Sequence, residues 1–284
     1  MKKICLLAFL SVPFIQLKAQ DAVVFKLRYL PNHVYNMSVM MGMKISANVS
    51  GDQSFIDKLN SEGITQPVKA HFQIGMTDKM ATGPAGTDKM MPLTADFRLD
   101  SIFADIGGKQ PPIPPNIAGK NIKMFGRASQ ENLSVLIDSV AGKKTSDSTQ
   151  MKMRQMMGLV QKQIKFPEKA LKPGDSFTQS TPMNIPITKD NSIKIDAGIT
   201  YKLVSISGGK AYFDLIPNLD INLNLPKATV NITGSGSGKL VYSIKDDFPL
   251  SRDVNFKMVV KVTSEKVNVD GTADIVISSH TEIN

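Results

Sequence analysis

The chain has a single cysteine, Cys5, and no tryptophan among 284 residues. One thiol cannot close an internal disulfide, and it cannot supply a four-ligand thiolate zinc site. Histidine is nearly as scarce: His33, His71 and His280 show neither HExxH nor HxH spacing, so a zinc site would have to be assembled from distant positions. There is no G-x-S-x-G elbow for a serine nucleophile. Aromatic residues make up 6% of the chain, too few for a base-stacking or sugar-stacking platform. The net charge of +9 is scattered beside acids, as in "FRLDS" and "SIKDDF", and forms no basic stripe of the kind nucleic acid needs. No apolar run reaches the roughly 20 residues of a membrane-spanning helix. These absences argue against a catalyst of familiar type and against nucleic acid as a partner. No cofactor and no metal are expected.

What is present begins with "MKKICLLAFLSVPFIQLKAQ". Lys2 and Lys3 precede an apolar run from Ile4 to Ile15, and Ala19 is a small residue at a cut point. This is the layout of a secretory signal peptide over 1–19, the alternative being an N-terminal membrane anchor. Cys5 lies away from the cut, so it is no lipid-modified N-terminus. Removing the segment takes away three lysines and no acid, which brings the charge to +6 and leaves no cysteine. The expected destination is the periplasm, the cell surface or the exterior. Residues 20–284 read as one mainly-β domain without a transmembrane segment.

Period-2 alternation dominates that domain. In "YNMSVMMGMKISANV", Tyr35, Met37, Val39, Met41, Met43, Ile45, Ala47 and Val49 share one side, while mostly polar residues share the other. The grammar recurs around Phe72, Tyr201, Phe213 to Leu225, Val254 to Val262, and Ala273 to Ile277. One-sided strands imply an antiparallel sheet rather than a helix-covered parallel one. About eight to ten strands, several longer than the usual 5–6 residues, predict a sheet that curls as its twist accumulates.

The pattern predicts one long helix over 147–165, with Asp147 as N-cap, an apolar stripe of Met153, Met156, Met157, Val160 and Ile164, and Pro167 as its stop. It separates two weakly similar halves, 21–142 and 167–284. Each opens with a turn leading into a strand, and each ends with a glycine-bearing strand, a polar turn and another strand. Proline-rich "KQPPIPPNIAG" reads as a stiff loop. The fold expected is a curled antiparallel sheet, a half-barrel or open barrel, with this amphipathic helix over its concave face.

"NITGSGSGKLVYSI" invites a nucleotide reading, which its spacing does not support. A phosphate loop needs a helix after the glycines, and the lysine-bearing version needs Gly at Thr233 and Ser or Thr at Leu240. Gly234, Gly236 and Gly238 keep the parity of Val230, Ile232 and Leu240 instead, so they belong to the inner side of one bent strand. Asp96 and Asp100, with Arg98 between them, could suggest a glycosidase pair, but a solvated charge ladder explains them more simply. Sixteen methionines could suggest Cu(I), yet those in "MSVMMGMK" and "MKMRQMM" follow strand and helix periodicity, as core or pocket filler does.

The stretches "LRYLPNHVYNMSV", "FPEKALKPGDSF", "ITYKLVSISGGKAYFDL" and "GSGSGKLVYSIKDDFPL" resemble a family of uncharacterised secreted proteins of the Bacteroidetes type, a domain of unknown function, over most of the exported chain. The expected architecture is also similar to the bacterial lipoprotein-carrier half-barrel, which holds acyl chains in its hollow. That second likeness is one of architecture. The reading that follows is a non-enzymatic protein binding an apolar or amphipathic, lipid-like ligand in the hollow of the sheet. Its candidate lining is Met41, Met43, Phe72, Met156, Val160, Phe213, Leu223 and Gly236. The alternative is a structural or assembly protein of the cell envelope whose partner is another envelope protein and whose core is packed and ligand-free. An outer-membrane barrel fits poorly, because aromatic girdles and a terminal aromatic are missing.

Overall fold

The computed structural model describes residues 22–111, 119–141, 143–144, 164–186, 192–225 and 227–284. They form β1 (Val34–Gly51), α1 (Gln53–Ser61), β2 (Val68–Thr82), β3 (Met90–Ile106), β4 (Asn121–Ser129), β5 (Val135–Val140) and β6 (Lys143–Lys144). They continue with β7 (Ser176–Pro186), β8 (Ser192–Ser207), β9 (Lys210–Leu225), β10 (Ala228–Ser243), β11 (Phe248–Ser264) and β12 (Val267–Ile283). The expected signal peptide lies outside the described residues. So does the expected helix, except for Ile164 and Lys165, which are not helical.

All twelve strands join one antiparallel sheet in the order β6-β5-β4-β3-β2-β1-β12-β11-β10-β9-β8-β7. Among the described residues its two edges do not pair, so the sheet is not closed into a barrel. Each half of the chain is an up-and-down meander of six strands. The two meanders meet where β1 pairs with β12 from Tyr35↔Ile283 to Gly51↔Val267. Tight turns make the meander, as between β8 and β9, where Gly208 and Gly209 both take positive φ (58° and 72°). Two such residues suit the twist of a two-residue hairpin, and only glycine adopts that backbone freely.

The strand count exceeds the eight to ten expected; β4 and β5 are the glycine-bearing strand and the strand after its polar turn that close the first half, whereas two-residue β6 carries no alternation to recognise. Helix α1 was also not expected. "QSFIDKLNS" is short, and the helix buries none of its residues; it is started by Asp52, whose carboxylate accepts the Ser54 amide at 2.8 Å. It links β1 to β2 and covers no sheet face.

Two chain segments cover one end of one face. Residues 22–33 run across the sheet as a strap, and residues 164–175 lie beside its start. Val23 and Leu171 exchange backbone hydrogen bonds of 2.8 Å. Phe25 packs with Ile164, Leu171, Tyr201, Phe213, Leu240 and Tyr242 on the β7–β11 side. Tyr29 packs with Tyr35, Met80, Met91, Leu93 and Phe248 on the other side. Leu27 touches both clusters. We call this the inner face; its parity is the one read from the sequence. Polar contacts fix the strap: Arg28 pairs with Asp247 at 2.7 Å, the Tyr242 hydroxyl donates to the Lys26 carbonyl, and the Leu30 amide donates to the Tyr35 hydroxyl at 2.7 Å.

Four register shifts interrupt the ladders. They leave Asp100, Asp138, Val204 and Leu250 as extra residues opposite β2, β4, β9 and β10. Each insertion moves the apolar parity by one, so the inner side of β3 passes from Phe97 and Leu99 to Ile102 and Ala104.

The strap depends on one ring. Phe25 is 4% exposed, and its ring centroid lies 5.2 Å from Phe166 and 5.3 Å from Phe213 and Tyr242. Phe25→Ala is expected to cost about 3–5 kcal/mol, the usual range for emptying a buried aromatic site. Urea unfolding should show a lower midpoint of that size; an unchanged midpoint would mean that the strap does not hold this end of the sheet.

Candidate functional site

Away from the strap the inner face continues as rows of apolar side chains whose exposure rises toward β1 and β2. One row runs Tyr201, Leu215, Gly238, Val254, Ile277, Met41, Ile74 and Ile102 across eight strands; Tyr201, Leu215 and Val254 still belong to the strap-end core, and the row opens at Met41 and Ile74. The next runs from Ile199 and Pro217 through Phe256, Ile275, Met43 and Phe72 to Ala104. Gly236 falls in this row opposite Pro217, where the β9–β10 ladder passes from Ser235↔Asn218 to Gly238↔Leu215. Pro217 has no amide hydrogen to give there, so the ladder is interrupted at the glycines.

Those glycines do not form an open slot. A Cβ on Gly234 would lie 2.5 Å from Cζ of Phe256, and one on Gly236 would lie 2.1 Å from the Asn255 carbonyl oxygen. The Phe256 ring and the β11 backbone use the space that the missing side chains leave. The nucleotide-like stretch is therefore a strand, β10, lacking the helix that a phosphate loop requires.

The structure brings Met43, Phe72 and Gly236 into one row, with Met41 in the neighbouring row. Phe213 lies two rows toward the strap and is 1% exposed, which makes it part of the packed core rather than of an open lining. Leu223 lies three rows in the other direction, packed against the small cluster of Leu219 and Ile221. Met156 and Val160 lie outside the described residues. Met41 and Ile74, paired across β1 and β2, keep 39% and 37% of their surface exposed.

Polar groups on this face escaped the sequence reading. Asp78 has the parity of Met76 and Met80, and sits opposite Met37 on β1 and Phe97 on β3. Its Oδ1 is buried without a hydrogen-bond partner among the described residues. Burial, then repulsion from Asp96, pushes its carboxyl up to about 6. Tyr29 lies near it, its hydroxyl pushed up first by burial and then by the Asp78 charge. Arg252 has the parity of Val254 and Phe256, and its Nε is likewise buried without a partner among the described residues. Thr281 and Ser279 carry hydroxyls on the same side of β12. The detectable signal was parity itself: continuing the alternation of "FQIGMTDKM" and "SRDVNF" by one step puts Asp78 and Arg252 inside.

The opposite face is mostly polar, although it also exposes Met40, Tyr212, Ile216, Val259 and Val276. A groove of about 620 Å³ there is bordered by Lys79, Asp96, Arg98, Lys123, His280 and Glu282. Asp96 lies 3.8 Å from Lys123, and Asp100 pairs with Arg98, so each carboxylate of the suspected glycosidase pair has a cation beside it. The charge ladder is what these residues form. Among the described residues no group of three His, Cys, Asp or Glu side chains is placed to hold a metal ion, and no helix is long and apolar enough to cross a membrane.

Asp78 makes a pH-dependent contribution. A carboxyl raised from 3.8 to about 6 by folding is most compatible with the native state when protonated. Stability is then greatest below about pH 4 as far as this group is concerned, and it falls as pH rises through the window from 3.8 to about 6. The full difference is about 3 kcal/mol. Asp78→Asn should therefore stabilise the protein by up to about 3 kcal/mol at pH 7.5 and by little at pH 3.5. Denaturant unfolding at the two pH values decides it: a gain of equal size at both would mean that the carboxylate is not strained.

No protein-family model and no curated protein matches the chain. Among solved structures, it is aligned with the secretin InvG of the Salmonella SPI-1 type III secretion injectisome at 9% identity and a TM-score of 0.15, over 89% of this chain and 65% of that one. An atomic model of the same injectisome's basal body proteins InvG, PrgH and PrgK aligns at the same identity and TM-score, over 46% of its chain. The chain thus spans less than two thirds of either neighbour, and likeness at this level carries no argument about fold or role.

Proposed function

We propose that this is an exported, non-enzymatic protein of the periplasm or cell surface that binds an apolar or amphipathic, lipid-like ligand against the inner face of its sheet. In this reading the sheet curls into a half-barrel with the inner face concave, and the stripe of 147–165 lies over it. Ile164, the last residue of that stripe, is 6% exposed in the strap-end cluster, which supports the placement.

The observation that carries the reading is the contrast along the inner face. The strap end is packed to near-zero exposure, whereas the face continues apolar for rows beyond it with Met41 and Ile74 more than a third exposed. Contiguous exposed apolar surface on a polar-rimmed protein marks a binding site. Methionines on such a surface adapt to guests of varied shape.

Native mass spectrometry of the purified protein, before and after incubation with an envelope lipid extract, tests this. The expected result is an added mass that is lost on denaturation. Met43→Asp and Phe72→Asp, at a cross-strand pair of half-buried positions, should abolish it while the β-type circular dichroism persists. Retention by the folded variants would overturn the placement. A wild-type protein that stays free of added mass would overturn ligand binding in favour of an assembly protein acting through protein contacts.

A further inference from the structure

Arg252 is anomalous on the inner face. It stands in a row with Leu240, Ser279 and Val39, one row from Val254 and Ile277. Its Nε is buried without a hydrogen-bond partner, and no carboxylate lies within ion-pair distance of it among the described residues. The other described arginines, Arg28 on the strap and Arg98 and Arg127 on the opposite face, each have an acidic partner. A partly desolvated guanidinium without a counter-charge is unfavourable to folding, and a matched anion offsets that penalty.

The surroundings of Arg252 suit such an anion. Ser279 adds a hydroxyl on the neighbouring strand; among the described residues its side chain makes one hydrogen bond, to the Arg252 carbonyl at a long 3.5 Å. A planar fork of N–H donors and an alcohol thus stand on neighbouring strands beside the apolar rows that run to Met41, Met43 and Phe72.

We infer that Arg252, with Ser279, forms a head-group site for the carboxylate or phosphate of a single-chain amphiphile whose tail lies along the Met41–Met43–Phe72 side of the sheet. The inference rests on the ligand-binding reading above and narrows it to anionic amphiphiles. The charge decides the class: a neutral or cationic head would leave the guanidinium unmatched, whereas a carboxylate or phosphate receives charge-assisted hydrogen bonds in a site shielded from water.

The test is equilibrium binding of four C16 probes to the purified protein by titration calorimetry: hexadecanoate, hexadecyl phosphate, hexadecanol and hexadecyltrimethylammonium. Acetate and inorganic phosphate serve as tail-free anions. Either anionic C16 probe should bind about ten- to a hundredfold more tightly than hexadecanol, as expected for charge-assisted hydrogen bonds. The stronger of the two assigns carboxylate or phosphate. Arg252→Gln should remove that preference and leave hexadecanol binding within about twofold, and Arg252→Lys should restore part of it. Arg252→Met should raise the melting temperature of the ligand-free protein, because it removes an unmatched charge.

Equal binding of hexadecanoate, hexadecyl phosphate and hexadecanol by the wild type would overturn the head-group site and leave the apolar-ligand reading standing. Binding of acetate or inorganic phosphate as tight as that of the C16 anions would overturn the amphiphile. No binding of any C16 probe would overturn both readings. A lowered melting temperature for Arg252→Met would show that the arginine has a structural partner and would overturn the argument from its isolation.

Discussion

The pairing of β1 with β12 is the constraint on which the remaining structure depends. It joins the start of the described chain to its end over seventeen residue pairs, and without it the molecule is two separate six-stranded meanders. Every other strand contact is between neighbours in sequence or across one turn. The seam closes a loop of more than two hundred residues, so its entropic cost is met only by a long, continuous ladder and by what the strap adds. The strap lies over this join: Phe25 belongs to the cluster of the second meander, Tyr29 to that of the first, and Leu27 to both. Sheet pairing and strap packing thus hold the same two halves together, one through backbone hydrogen bonds and the other through buried rings.

Strand length makes the rest of the architecture possible. Strands of fifteen to eighteen residues extend well past the strap, which shields only one end of the inner face. A shorter sheet would have been entirely core. Here one end is packed with aromatics and large aliphatics, and the other is an apolar surface of methionine, isoleucine, valine and glycine. The parity that buries Tyr35 at the strap end also leaves Met41 exposed three turns of the pleat further on. Core and candidate binding face are therefore the same face under different cover.

Two residues break the chemistry of that face without breaking its geometry. Asp78 and Arg252 obey the alternation and bring opposite charges inside, on strands separated by β12 and β1. The spacing between them is about 14 Å on a sheet with strands roughly 4.8 Å apart, too far for direct pairing of the two backbones' side chains at ordinary reach. Neither charge neutralises the other. Each lowers stability where it stands, and a protein tolerates such groups chiefly where they serve binding or chemistry. By contrast, the charges of the opposite face alternate in sign across the strands, and their pairs lie at the surface, where they contribute little.

Local pattern was enough to read strands, faces and turns. Tyr35 to Val49 must present one apolar side because successive strand residues point in opposite directions, and "SGGK" must turn because two positive-φ residues suit glycine. The same rule made Gly234 to Gly238 a strand rather than a phosphate loop. Short elements such as β6 and α1 escaped, since two residues or one uneven turn carry no period. Tertiary structure alone decided which strands are neighbours, that β1 meets β12, and that four extra residues rephase the ladders, because hydrogen-bond partners far apart in sequence leave no local trace. It alone decided that Phe213 is core while Met41 is open, because that depends on where the strap ends. It also decided that Arg252 has no acidic partner among the described residues. The sequence contains that arginine beside Asp253 in "SRDVNF", and only the pleat, which turns Asp253 to the other face, separates the two charges.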